Sequence, residues 1–184
     1  MDPAERISGM DFLGKEFLTW LWFRSDRGGG LVEVEGIGQV ELWLDDRVTL
    51  ESEGEQGTER VACSGQGSDL KEARFALAEG KKVTSAKFRL AIGPEEWSFG
   101  WEAGRFQFKS MRVPGSGGDL KEDPDGVFVE RVGLMERAVG ILDRLFFQFL
   151  SLRLFPDWDS HEMPALADWI RQGASGSWEN RSSH

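Results

Sequence analysis

The 184-residue chain has no tyrosine, one cysteine and only two histidines. Each shortage closes a route. A lone thiol, Cys63, forms no internal disulfide and no thiolate metal cluster. It fits a reducing compartment, and its default role is a structural thiol on a strand. His184 is the last residue, and His161 has no second ligand at metal spacing. The glycine clusters at 28–30 and 115–118 lack the Gly-Lys-Ser/Thr ending of a phosphate loop, and no serine sits in a Gly-x-Ser-x-Gly elbow. The longest apolar stretch, Leu145 to Leu150, is interrupted by Gln148 and falls far short of the roughly 20 residues that span a bilayer. Met1 to Arg6 carries no signal-peptide pattern. The expectation is a cytoplasmic protein with no membrane partner, no cofactor, no metal and no catalytic set.

Two acidic groupings stand against that reading. Asp157, Asp159, His161 and Glu162 crowd one stretch, which reads more plainly as an acidic helix start. Asp45-Asp46, with Glu41 or Glu51, offers carboxylates of the kind a metal nuclease uses. Acids at a turn are the commoner explanation.

Aromatic content is where the chain is rich, with eight Trp and thirteen Phe. Most of the Trp are expected in the core, and one or two at an interface. Three aromatic strands form a meander over 83–113: Val83 to Ile92, Glu96 to Glu102 and Arg105 to Val113, with turns at Gly93-Pro94 and Ala103-Gly104. Alternation sends Phe88, Leu90, Ile92, Trp97, Phe99, Trp101, Phe106 and Phe108 to one face. Lys87, Arg89, Arg105 and Lys109 fall on the other, around small Ser98 and Gly100.

Charge follows the same division. The net charge is −10, which argues against an indiscriminate polyanion coat. Residues 31–60 hold nine acids and two bases, whereas 81–113 hold seven bases and three acids. A flat basic plate on an acidic protein can receive a phosphate backbone. The plainer alternative is a solvated sheet face.

The remaining elements are read from periodicity. Asp11 to Ser25 forms a short helix, apolar nearly all round and ended by Arg27-Gly28-Gly29-Gly30. Val40 to Leu50 reads as a hairpin over 40–50, turning at Asp45-Asp46, with Trp43 opposite Leu42 and Leu44. Arg60 to Ser64 gives a further strand, and Asp69 to Glu79 a helix stopped by Gly80. Asp123 caps the longest helix, with Pro124 at its first position. Its stripe of Phe128, Val132, Met135, Val139, Leu142, Phe146 and Phe149 steps by 4 and 3, the spacing of a coiled-coil seam. That stripe either covers the aromatic face of the sheet or forms a dimer seam. A last helix runs from about Glu162 to Gln172. The predicted organisation is a flexible N-terminus (1–10), one α+β domain (11–172) and a disordered tail (173–184). The predicted fold is an antiparallel aromatic-rich sheet packed against the long C-terminal helix and shorter helices.

The stretch Ala78-Glu79-Gly80-Lys81-Lys82-Val83-Thr84-Ser85-Ala86-Lys87-Phe88-Arg89-Leu90, then Trp97-Ser98-Phe99 and Arg105-Phe106-Gln107-Phe108-Lys109, resembles the C-terminal half of the bacterial recombination-associated protein RdgC family. Phe17-Leu18-Thr19-Trp20-Leu21-Trp22 is similar to that family's Leu-Thr-x-Trp segment, and the element order agrees over roughly residues 12 to 152. The resemblance implies an α+β fold and a non-enzymatic, sequence-independent binder of double-stranded DNA linked to recombination. It also implies a dimer, since members enclose duplex in dimeric rings that limit recombinase loading. The family's N-terminal half is not matched, so the expectation here is a module that does not close a ring.

On this reading Lys87, Arg89, Arg105 and Lys109 contact phosphates, flanked by Lys81, Lys82 and Arg112, in weak and salt-sensitive binding. The alternative is a protein-interaction or assembly module, in which a protein partner covers Trp43 and the seam joins copies of the chain.

Overall fold

The computed structural model describes residues 11–54, 57–65, 70–115 and 123–175. The expected flexible N-terminus and most of the expected tail lie outside them. Helix α1 (Asp11–Arg27) is followed by β1 (Leu31–Val34), β2 (Gly38–Gly54), β3 (Gly57–Ser64), α2 (Leu70–Ala78), β4 (Lys82–Ile92), β5 (Glu95–Glu102) and β6 (Gln107–Arg112). Helix α3 (Pro124–Leu154), a π-helical turn (Trp158–Glu162) and α4 (Met163–Ser175) complete the chain. The fold is α+β: one antiparallel sheet of six strands, with four α-helices among the described residues.

β2 is the spine of the sheet. β4 pairs along one of its edges, while β1 and then β3 share the other. β5 and β6 extend the sheet beyond β4 as a meander. The expected hairpin over 40–50 is therefore corrected to one continuous strand. Asp45-Asp46 is a bulge, where the register with β4 shifts between Leu44 and Val48. Val40, Leu42, Val48 and Leu50 all stay buried on the same face across it. The turn-like pair of acids does not reverse the chain because its carboxylates are taken up by bases on β4.

The inner face carries the predicted aromatic set. Phe88, Leu90, Trp97 and Phe99 are fully buried, and Trp101 nearly so. Phe106 departs from the pattern. It sits in the turn before β6 with φ 51°, and is 39% exposed. The turn runs through Arg105 and Phe106, so β6 starts later than alternation suggests.

Helix α1 is the central element on this face. It lies against β2 and β4 and touches α3 and α4, which is why it is apolar nearly all round. Phe17, Leu18, Trp20, Leu21, Trp22 and Phe23 are all buried. Buried indoles need partners for their N–H groups. Trp20 donates to Glu162 (2.7 Å), Trp169 to Asp26 (2.7 Å) and Trp97 to the Leu134 carbonyl (3.0 Å).

Helix α3 starts where expected, with the Asp123 side chain accepting from the Gly126 N–H (2.9 Å). At 31 residues it is about 46 Å long, longer than the sheet needs. Its later half supplies Ala138, Ile141, Leu142, Leu145 and Phe149 to the core.

Candidate nucleic-acid interface

No described helix packs on the other face of the sheet, and the strand register places its side chains in rows. Trp43, Arg89, Ser98 and Arg112 lie opposite one another across β2, β4, β5 and β6. Lys87, Gly100 and Lys109 form the next row. Thr49, Ser85, Glu102 and Gln107 form a third. Small Ser85, Ser98 and Gly100 along the middle leave a groove of about 530 Å³. Arg47, Arg60, Lys87, Lys109 and Arg112 line it, against the acids Asp46 and Glu102.

The bulge decides the electrostatics. Three residues, Asp45 to Arg47, face the single position of Lys87. Lys87 Nζ lies 3.0 Å from both Asp45 Oδ2 and Asp46 Oδ1. Arg89 reaches Asp45 Oδ1 (3.2 Å) and, more loosely, Glu96 (3.7 Å). Lys109 pairs with Glu102 at 2.6 Å. Burial works against ionisation of Asp45, but Lys87 and Arg89 outweigh it and hold its carboxyl below the usual range. The hydrogen bond from Lys109 lowers Glu102, and hydrogen bonds to Asp46 and then Asp45 raise Lys87. The plate is thus a lattice of ion pairs rather than bare positive charge.

The predicted phosphate contacts divide accordingly. Lys87, Arg89 and Lys109 lie on the open face, each already paired. Arg112 lines the groove and makes no ion pair among the described residues. Arg105 is exposed in the β5–β6 turn, and Lys82 is exposed at the start of β4 opposite Glu51. Neither makes an ion pair there. Lys81 is turned to Glu59 (2.8 Å) and Glu79 (3.9 Å), with its side chain only 9% exposed.

Sequence reasoning missed Arg47 and Arg60. Reading a turn at Asp45-Asp46 removed Arg47 from any strand face. Arg60 comes to the groove through β3, which pairs with β2 rather than with the meander. Continuing the alternation of Glu41 and Trp43 through the bulge to Thr49 would have exposed the first.

The heptad stripe also divides. Leu142 and Phe149 are fully buried within one copy of the chain, and Val139 and Phe146 are half-buried. Phe128 is 66% exposed, and Val132 and Met135 are also open, beside exposed Val129. Within the stripe, only the first half is free to meet another surface.

The acidic stretch near His161 disperses. Glu162 turns inward to Trp20 and Arg24, while His161 faces Ser160 Oγ (2.8 Å). Among the described residues no group of three ligating side chains converges on a point. None of their helices is long and apolar enough to cross a membrane. No protein-family model and no curated protein matches the chain.

Proposed function

We propose that the open sheet face binds the phosphate backbone of nucleic acid, weakly and without reading sequence. The observation that carries this reading is the groove itself. It is uncovered by any described helix, floored by small residues, and lined by five bases against two acids. Arg47 and Arg112 are ready for phosphate, with Arg105 and Lys82 at the margins. Lys87, Arg89 and Lys109 have to exchange a carboxylate for a phosphate. That exchange offsets most of the gain per contact and accounts for weak binding. The resemblance to RdgC-type proteins supports duplex DNA as the partner, a bacterial cytoplasmic setting linked to recombination, and a role without catalysis.

The test is fluorescence anisotropy of a labelled duplex at low salt, with Arg47→Glu/Arg112→Glu beside the wild type. Binding by the wild type that fades by roughly 0.3 M salt and is lost in the variant fits the proposal. Equal affinity in both proteins removes the groove from consideration.

A second reading rests on a separate observation, the exposed Phe128, Val129, Val132 and Met135 on α3. Contiguous apolar side chains at a helix end favour assembly, with a second copy or another protein as partner. Light scattering tests it: Phe128→Asp should reduce an oligomer to the mass of one chain without changing the fold.

A further inference from the structure

Six of the seven described tryptophans are buried, and Trp43 is the exception at 43% exposed. It makes no aromatic or cation–π contact among the described residues. Its place is nonetheless fixed. The six-membered part of the indole lies directly against the Gly30 backbone, where an added Cβ would come within 2.0 Å of Cζ2. Gly30 is itself held at both polar groups: its N–H donates to the Ser25 carbonyl (2.8 Å), and its carbonyl accepts from the Leu42 N–H (2.7 Å). The Ser25 hydroxyl closes the arrangement by donating to the Leu42 carbonyl. A large flat ring is thus seated on rigid backbone, with much of its surface in solvent.

Trp43 stands on the groove side of the sheet, in register with Arg89, Ser98 and Arg112. Three strand spacings separate it from Arg112, about 14 Å. Asp45, its neighbour on this face, is neutralised by Lys87 and Arg89. Glu41, its other neighbour, is exposed. A phosphate is repelled beside Glu41, whereas an uncharged base is not.

From this juxtaposition, and resting on the reading of the groove as a phosphate site, we propose that Trp43 is a stacking platform for an unpaired base. The face then selects single-stranded over double-stranded nucleic acid. A base stacks on an aromatic face whatever its identity, which keeps the binding sequence-independent. In a duplex the bases are stacked on one another and do not reach the ring.

The experiment measures anisotropy of three labelled probes of equal length at low salt: oligothymidylate, an abasic deoxyribose-phosphate strand, and a duplex. The proteins are the wild type, Trp43→Ala and Trp43→Phe. The wild type should prefer oligothymidylate to the abasic strand by roughly 5- to 150-fold, the range for one base–aromatic stack. Trp43→Ala should bind both at the abasic level, Trp43→Phe should keep most of the preference, and duplex affinity should be the same in all three proteins. Unchanged oligothymidylate affinity in Trp43→Ala overturns the inference while leaving the groove proposal standing. An equal loss on duplex overturns it too, because Trp43 is then only supporting the sheet. If no probe binds the wild type, the groove proposal fails and this inference fails with it.

Discussion

Replacing Asp45 by asparagine should weaken the fold and strengthen nucleic-acid binding. Asp45 accepts from Lys87 at 3.0 Å and Arg89 at 3.2 Å, and its side chain is 10% exposed. Charge-assisted hydrogen bonds each contribute about 1.5–3 kcal/mol when well shielded. Lys87 and Arg89 are 37% and 41% exposed, so solvent screening brings the expected loss down to about 1–2 kcal/mol. Lys87 keeps Asp46 and Arg89 keeps Glu96, which limits the loss further.

The pH dependence has a definite sign. The folded Asp45 carboxyl lies below its ordinary value, so its contribution is complete above the unfolded value near 4 and fades as pH falls through the folded one. Urea melts should show a constant gap between wild type and Asp45→Asn from about pH 5 to 8, narrowing below about pH 4. The binding effect runs the other way. Two bases each held by one carboxylate fewer exchange the remaining one for phosphate more readily, which should steepen the plot of log affinity against log salt on duplex by about 1 to 2 units. Glu53→Gln, at the exposed far end of β2, makes the same change in net charge and should leave the slope alone. Lower stability with an unchanged slope in Asp45→Asn would mean that Lys87 and Arg89 do not meet phosphate.

Three further outcomes are expected. Leu142→Ala, at a fully buried position, should cost about 3–5 kcal/mol in a urea melt, whereas Phe128→Ala should change the stability of the single chain by no more than about 0.5 kcal/mol; similar values would contradict the division of the α3 stripe. Gly30→Ala should cost about 1–3 kcal/mol, because φ is +86° and the new methyl strikes the Trp43 ring, and a shift in tryptophan emission should accompany the loss. Cys63 is 6% exposed, and burial, then Glu72, raises its thiol above the usual range. A thiol reagent should therefore label it slowly in buffer and rapidly across the urea transition, while immediate labelling would contradict the buried position.

Where one physical rule dominated, the sequence was legible. Strict alternation from Phe88 to Trp101 identified the inner face of β4 and β5, because each of these side chains is buried by α1 and the long helix. Asp123-Pro124 marked the start of α3, because capping is a local interaction. Elements ruled by distant partners were not legible. Asp45-Asp46 has the composition of a turn, and only Lys87 and Arg89 on another strand make it a bulge. β1 went unassigned, since Leu31 to Val34 is four residues long and is strand only because β2 pairs with it. The basic plate was found on its correct face, but its neutralisation by Asp45, Asp46, Glu96 and Glu102 depends on register, which alternation does not supply. The regular heptad stripe hid its division because periodicity does not say where a helix outruns the sheet.

The most direct test of the account is the salt dependence of duplex binding by the unaltered protein. With Arg47 and Arg112 free in the groove, and Arg105 and Lys82 at its margins, the expected binding is weak. Log affinity should fall with log salt at a slope of roughly −2 to −4. Absence of binding at low salt, or binding indifferent to salt, would contradict the claim that the open sheet face is a phosphate site.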